Sequence, residues 1–325
     1  MSLILQTFPM PDGPQADLEQ DYEVRQAIFP DDDELRAAAE GAIGVIAGTE
    51  PWPSDLLAEV AGTLRCISRV GTGVDSIDLA AATETGVAVL NGPGEMSQTV
   101  AEYAVGMMWT LARRIFDADP SVRTEGFAKR IVLLGNDLSG KAVGIVGFGD
   151  IGRRVASICQ HGFGMRILVN TASPEPSRLT RAGIDGAFVS LPELLSQSDF
   201  VTLHTPVTET TMGMISMREL ELMKPGAFLI NSSRGRLVDE EAVVHAIRSG
   251  HLGGLASDVF ATEPPPDDHP FFDLPRTILT PHFGSHSHES MFRMGDRAVQ
   301  NLKEFLNGGR PTRTVNAEVY DRLSA

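Results

Sequence analysis

The sequence predicts an α/β protein built as two doubly wound, mostly parallel sheets. Three observations predict it. Short apolar runs alternate with helix-like segments along the chain. The alternation breaks once, at a long helical stretch after residue 97, and then restarts. A length of 325 residues is long for one domain and comfortable for two, each with a real core.

In the first series, Leu3–Phe8, Tyr22–Ile28, Ile43–Ala47, Leu64–Val70 and Val87–Leu90 read as strands. Asp33–Glu40, Ser54–Gly62 and Ser76–Thr85 read as helices, with Asp31 and Ser54 as N-terminal caps. Asp12-Gly-Pro and Glu50-Pro-Trp-Pro read as surface turns. Asn91-Gly-Pro-Gly94 marks a domain crossing. Gln98–Arg114 follows as a long helix, then the more polar Asp117–Phe127, then a lead-in at Asn136–Lys141.

The second series has strands at Ala142–Val146, Arg166–Thr171, Ala187–Val189, Phe200–His204, Ala227–Ser232, Leu255–Asp258 and Thr277–Thr280. Its helices fall at Ile151–Gln160, Leu191–Gln197, Ser216–Leu222 and Asp239–Ser249. A last helix, roughly Glu289–Asn307, is polar enough to lie on a surface.

Composition excludes several functions. A formal net charge of −16 argues against nucleic acid or an anionic membrane as main partner, since both require a basic surface. The two cysteines, Cys66 and Cys159, lie in apolar runs and read as buried, reduced thiols. The N-terminus has neither a basic region nor a long apolar core, so no signal peptide is read. The most apolar run, Val100–Leu111, is too short to span a bilayer. A cytoplasmic protein is the expectation.

The most informative stretch is Val143-Gly-Ile-Val-Gly-Phe-Gly-Asp-Ile-Gly152. It runs from an apolar strand through Gly147-x-Gly149-x-x-Gly152 into a helix, with a second strand after it. Gly147 permits the tight turn, Gly149 the approach of a pyrophosphate, and Gly152 close helix–strand packing. The positive end of the helix faces an anion. Phe148, Asp150 and Ile151 complete the dinucleotide-binding turn.

Ligands of open α/β sheets bind beyond the carboxyl ends of the strands. There the chain places Thr205-Pro206, Ser233-Arg234-Gly235, Asp258 with Glu263-Pro264, and Pro281-His282-Phe283-Gly284. These types suit reduction of a 2-oxo acid. Arg234 would grip the carboxylate and polarise the carbonyl. His282 would exchange the proton, and Glu263 would favour and orient the imidazolium. Singly, each has a structural or surface alternative; together, at one sheet edge, they form a candidate site. His286 and His288 follow His282, but a metal site would want further carboxylate or thiolate ligands, so no metal is assigned.

The chain resembles the D-isomer-specific 2-hydroxyacid dehydrogenases, including phosphoglycerate dehydrogenase and glyoxylate/hydroxypyruvate reductase. The resemblance is carried by Arg69-Val-Gly-Thr-Gly-Val-Asp-Ser-Ile-Asp78, Asn91-Gly-Pro-Gly94 with Val100-Ala-Glu102, and Leu111-Ala-Arg-Arg114. It continues through the glycine fingerprint, His204-Thr-Pro-Val-Thr208 and Ile230-Asn-Ser-Ser-Arg-Gly-Arg-Leu-Val-Asp239. Ser257-Asp-Val-Phe-Ala-Thr-Glu-Pro264 and Leu279-Thr-Pro-His-Phe-Gly284 complete it.

The resemblance implies a Rossmann cofactor domain, 98–288, inserted in a flavodoxin-like substrate domain formed by 1–97 and 289–325. It implies a catalytic Arg234, Glu263 and His282. Backbone N–H groups of Val70, Gly71, Thr72 and Gly73 would hold the substrate carboxylate. Asp258 would meet the nicotinamide carboxamide. His204, Thr205 and Pro206, with Ser232, Ser233 and Gly284, would line the cofactor; for His204 a structural role stands equally open. A homodimer is implied, through the cofactor domains and the helical stretch after Gln98.

Two positions refine this. The NAD-selecting acid should end the second strand of the cofactor domain, and Thr171 stands there instead. Thr171 and Ser173 offer donors to a 2′-phosphate, with Arg178 nearby, so NADP is favoured over NAD. The alternative is that Thr171 only ends the strand. Arg69 would read a distal anion such as phosphate, or else form a strand-end salt bridge. The chain stops after one final helix, which favours a small hydroxy acid reductase over a phosphoglycerate dehydrogenase. A corepressor-like, nucleotide-sensing binding protein and a formate dehydrogenase are the rivals.

Overall fold

Twelve parallel strands in two sheets carry the described residues. The computed structural model describes residues 1–323; Ser324 and Ala325, which end the segment assigned above to the substrate domain, lie outside the described residues. In chain order the first elements are β1 (Leu3–Gln6), α1 (Asp12–Asp21), β2 (Glu23–Gln26), α2 (Asp32–Ala39) and β3 (Gly44–Ala47). There follow α3 (Ser54–Val60), β4 (Cys66–Arg69), α4 (Leu79–Glu84) and β5 (Ala88–Leu90). Next come α5 (Ser97–Ala112), α6 (Ile115–Glu125), β6 (Ala142–Val146), α7 (Asp150–Phe163), β7 (Arg166–Asn170), α8 (Pro176–Arg181) and β8 (Gly186–Phe188). Then α9 (Leu191–Gln197), β9 (Phe200–Leu203), α10 (Met217–Leu222), β10 (Phe228–Asn231), α11 (Glu240–Arg248), β11 (Gly254–Ser257) and β12 (Thr277–Leu279). The chain closes with α12 (His288–Leu306) and α13 (Val319–Leu323).

The chain divides into two units. One is Met1–Met96 with the chain from His286 onward, and the other is Ser97–Ser285. The first holds a five-stranded sheet of order β2-β1-β3-β4-β5. That is the flavodoxin-like winding, which reverses between β1 and β3. The second holds a seven-stranded sheet of order β12-β11-β10-β9-β6-β7-β8. That is the dinucleotide-binding winding with one added strand, and it reverses between β6 and β9.

Burial explains why the strands read as apolar runs. Every residue of β3, β5, β6, β9, β10 and β11 is buried, as helices on both faces require. The edge strand β2 is mostly exposed. Asp31 caps α2 as the sequence predicts, in a capping box with Glu34 whose N–H donates at 2.9 Å.

Four readings are corrected. Asp12-Gly-Pro does not make a surface turn but opens α1. Pro14, in the first helical turn, needs no intrahelical N–H partner. A Cβ at Gly13 would lie 2.7 Å from the ring of Phe292, so a side chain there would have to displace that ring. Ser54 does not cap α3; Pro53 holds the cap position without a side-chain hydrogen bond, and Ser54 is already helical.

Glu50-Pro-Trp-Pro is not a surface turn. Trp52 is fully buried, its N–H donates to Ser76 O at 2.8 Å, and its Nε1 donates to Glu50 Oε1 at 3.1 Å. The last helix is not merely superficial either. In α12, Met294, Ala298, Val299, Leu302 and Phe305 are buried in the core cluster that also holds Ile4, Ile46 and Leu90. Each large side chain so buried contributes about 1.5–3 kcal/mol.

Candidate active site

The glycine turn follows β6 at the reversal of the seven-stranded sheet. Gly147 has φ +98°, and a Cβ there would lie 2.1 Å from His204 O, so neither backbone nor space admits a side chain. A Cβ at Gly152 would lie 2.1 Å from Gly147 O, which brings α7 directly onto the turn. Gly149 differs. Nothing lies within 4 Å of its Cβ position, and it caps α7 with no side-chain hydrogen bond. The start of α7 thus has no side-chain cap and open space beside Gly149, as an anion site requires.

Phe148 anchors the turn. Its ring is buried and meets Phe188 edge-on at 5.5 Å. Arg178, on α8, donates to Phe148 O at 2.6 Å and to Ser173 O at 2.7 Å. It straps the turn to the loop after β7. Asp150 pairs with Arg153 in the first turn of α7, and Ile151 packs against the core behind it. Thr171, just past the end of β7, is half-buried, and Ser173 is exposed.

The ends of β9 and β10 present polar atoms without protein partners. His204 bonds Thr202 Oγ1 through Nε2 at 2.9 Å, while its buried Nδ1 has no partner. Burial pushes its imidazole down to about 4, so the ring is neutral at physiological pH. Ser232 Oγ is likewise buried without a partner. Ser233 Oγ donates to Thr205 O at 2.7 Å, joining the two strand ends, and Pro206 O accepts from Thr211 Oγ1 at 2.7 Å. Buried polar groups normally find partners. Open space at Gly149, the uncapped α7 and these two atoms fit a bound dinucleotide.

Beyond the strand ends lie Arg234, Glu263 and His282. Asn231 fixes the β10 turn, donating to Arg234 O at 2.9 Å and accepting from Ser233 N at 3.1 Å. A Cβ at Gly235 would lie 1.9 Å from the carbonyl carbon of Phe260, so this turn lies flush against the segment leading to Glu263. Phe260 N donates to Glu263 Oε1 at 3.0 Å. Ala261 N donates to Glu240, which also holds the buried His269 at 3.2 Å.

His282 Nδ1 lies 2.7 Å from Glu263 Oε2. Burial raises the Glu263 carboxyl. The His282 hydrogen bond and charge, the Phe260 N–H and the Arg234 charge more than offset this, leaving it below the usual glutamate range. An ionised carboxylate only accepts, so Nδ1 carries a proton and Nε2 is the nitrogen left to exchange one. The structure thus brings the three predicted side chains into one electrostatic neighbourhood.

Asp258 is buried, and its carboxylate accepts from Phe283 N at 3.0 Å and Gly284 N at 2.9 Å. It binds the turn that carries His282. Sequence reading missed two residues here, Tyr103 and Thr280, which bond this same carboxylate.

In the first unit, Arg69 Nη1 donates to Val70 O and, at 3.5 Å, to Ala47 O. Gly71 has φ +131° and its O accepts from Gly92 N at 2.8 Å; Thr72 O accepts from Asn91 Nδ2 at 2.8 Å. The loop through Gly73 is thus tied to the end of β5. His286 meets Phe8 edge-on at 6.4 Å, and His288 opens α12. Among the described residues no group of three or more His, Cys, Asp or Glu could hold a metal ion. Nor is any described helix long and apolar enough to cross a membrane.

Comparison with known proteins identifies the family. Residues 105–284 match the model of the NAD binding domain of the D-isomer specific 2-hydroxyacid dehydrogenases. A glyoxylate reductase of Korarchaeum cryptofilum is 40% identical over 275 residues, 83% of this chain and 81% of that protein. A D-3-phosphoglycerate dehydrogenase of Mycobacterium leprae is 35% identical over 303 residues, 93% of this chain and 56% of that protein. The crystal structure of the TT0316 protein from Thermus thermophilus superposes with a TM-score of 0.88 at 36% identity, covering 96% of this chain and 99% of that one. The chain belongs to the D-isomer specific 2-hydroxyacid dehydrogenases, oxidoreductases that act on the CH–OH group of their donors.

Proposed function

We propose that this dehydrogenase interconverts a small 2-oxo acid, such as glyoxylate or hydroxypyruvate, with its D-2-hydroxy acid, and that it favours NADP over NAD. The observation that carries the reading is the 2.7 Å contact of His282 with Glu263 in the field of Arg234. The bound nicotinamide supplies the hydride that adds to C2 in reduction. Arg234 grips the substrate carboxylate and draws electron density toward the C2 oxygen. His282 Nε2 gives its proton to that oxygen as the hydride arrives, so the carbonyl becomes an alcohol. Glu263 stays ionised, holds the Nδ1 proton and stabilises the imidazolium. In oxidation the same groups act in reverse.

A small substrate is supported by the likeness to glyoxylate reductases. The preference for NADP is supported by Thr171 and Ser173, where a carboxylate would repel a 2′-phosphate. A homodimer is supported by apolar exposure on the stretch after α6: Phe127 is 77%, Ile131 73% and Leu134 78% exposed. A second copy of the chain would cover it.

A screen of glyoxylate, hydroxypyruvate, pyruvate and a phosphorylated hydroxy acid, each with both cofactors, tests the reading. Fastest turnover of glyoxylate or hydroxypyruvate with NADPH is expected. Preference for the phosphorylated acid would replace the substrate, and no turnover would leave a nucleotide-sensing protein. Thr171→Asp should move the NADPH/NADH ratio of kcat/KM toward NADH by about 10-fold, the effect of about 1.4 kcal/mol. An unchanged ratio would show that this position does not select the cofactor.

A further inference from the structure

His282 stands in a strained turn. Its φ is +53°, a left-handed value that is unfavourable for a non-glycine residue and persists only where its surroundings impose it. Three consecutive N–H groups impose it here by donating to one residue. His282 N bonds Asp258 O at 2.8 Å, Phe283 N bonds Oδ1 at 3.0 Å and Gly284 N bonds Oδ2 at 2.9 Å. The position of the imidazole therefore depends on where the Asp258 carboxylate is held.

That carboxylate is also held by two side chains. Thr280 Oγ1 donates to Asp258 Oδ1 at 2.7 Å. The Tyr103 hydroxyl contacts Thr280 Oγ1 and lies 3.4 Å from the same Oδ1. Thr280 has one hydroxyl proton, and its 2.7 Å contact with Asp258, against 3.4 Å for Tyr103, gives that proton to Asp258; Tyr103 then donates to Thr280. Burial, with the Asp258 carboxylate adding, outweighs the lowering by the Thr280 hydrogen bond and pushes the phenol well above its usual range, so it keeps its proton. The Tyr103 ring also meets Phe283 edge-on at 5.4 Å, and a Cβ at Gly284 would lie 2.8 Å from it. Tyr103 thus touches the turn through both its ring and its hydroxyl.

We propose that Tyr103 is a positioning residue for His282, acting through a relay of Thr280 and Asp258 that fixes the left-handed turn. The proposal rests on the proton-exchange role of His282 given above. The relay is a polarised chain, phenol to threonine to carboxylate, whose last member gathers the turn N–H groups. Without the phenol, Thr280 and Asp258 lose their outer support and the imidazole is held less well at its reacting position. Proton transfer is sensitive to such shifts, because misplacement of reacting groups by 1 Å can cost about 100-fold.

Tyr103→Phe tests this, because it removes the hydroxyl and leaves the ring on Phe283. The parent, Tyr103→Phe, Thr280→Val and the double variant are compared in kcat, KM, cofactor Kd, solvent deuterium isotope effect and Tm. In each variant kcat should fall about 10-fold, with KM and cofactor Kd within about twofold. The isotope effect on kcat should rise, since proton transfer becomes more limiting. The double variant should be no worse than either single one, because both break one chain. A kcat of Tyr103→Phe within twofold of the parent overturns the proposal. So does a fall in kcat with an unchanged isotope effect and a lowered Tm, which marks a merely structural role. Weakened cofactor binding overturns it as well, by assigning the relay to the cofactor. His282→Ala separates the two levels. If it turns over normally, the proton-exchange role itself fails; if it is inactive while Tyr103→Phe is normal, only the relay fails.

Discussion

The two sheets wind alike and treat their reversal points in opposite ways. Between β6 and β9 the crevice is kept open. Gly147 and Gly152 close the turn upon itself, Gly149 leaves space beside it, and His204 Nδ1 and Ser232 Oγ have no protein partner. Between β1 and β3 the chain fills the crevice with its own groups. The Thr7 hydroxyl donates to Glu50 Oε1 at 2.6 Å and accepts from Gly48 N at 3.0 Å, while Trp52 Nε1 closes on the same carboxylate oxygen. Phe8 lies across Gly48, 3.2 Å from where its Cβ would be. A reversal in winding creates a crevice, but the side chains that flank it decide whether a ligand or the protein occupies it. Polar atoms satisfied in one crevice are left for a cofactor in the other.

Four experiments break or sharpen that contrast. The largest effect is expected at His282. His282→Ala should lower kcat by at least about 100-fold and leave dinucleotide affinity nearly intact, read by steady-state kinetics and cofactor titration. Lost affinity would reassign this residue to the architecture of the open crevice. Thr7→Val acts on the closed one. It deprives Glu50 and the Gly48 N–H of a buried partner and should cost about 1–3 kcal/mol in urea unfolding, with cofactor Kd unchanged. A weakened Kd would mean that the filled crevice also serves the ligand.

Gly149→Ala sharpens the comparison. Gly149 has an ordinary φ of −77° and open space at its Cβ position, so the unfolding midpoint should not move. The added methyl group stands where a pyrophosphate would approach, and dinucleotide Kd should rise about 10-fold, or about 1.4 kcal/mol. Equal affinity would place the phosphates elsewhere.

The smallest effect concerns acid. The Glu263 carboxyl lies below its ordinary range in the folded state. The stability from its pairing is therefore complete above the ordinary glutamate range and is lost as pH falls through the lowered value. Both partners are more than a third exposed, at 42% and 37%, so Glu263→Gln should flatten the acid limb of urea stability by under about 1 kcal/mol. A steeper acid limb in the variant would reverse the assigned sign.

Much of this was legible in the sequence because parallel strands buried on both faces read as unbroken apolar runs. Ala142–Val146 and Phe228–Asn231 are such runs, and the Gly- and Ser-containing turns after them mark the sheet edge. The pairing of Glu263 with His282 was legible from residue type and strand-end position. The helix α1 was not, because only Pro14 and Leu18 are buried and no apolar period arises. The polar residues of α12 masked an apolar stripe that packs its whole length. Trp52 was misread because two flanking prolines signal a turn, whereas its ring packs in the core cluster with Leu56, Leu57 and Ile67, and Glu50 satisfies its Nε1. Tyr103 gave least warning. It lies within an apolar helix, and its partner Thr280 is 177 residues away, a separation no local pattern encodes.

The guanidinium of Arg178 carries a practical lesson for redesign. One side chain clasps the carbonyl of Phe148 and that of Ser173 together. Any remodelling of the segment after β7, where the adenosine end of a nucleotide would be distinguished, therefore pulls on the lip that faces its phosphates. Were a dinucleotide to bind there as proposed, discrimination and tightness would be mechanically linked through this clasp.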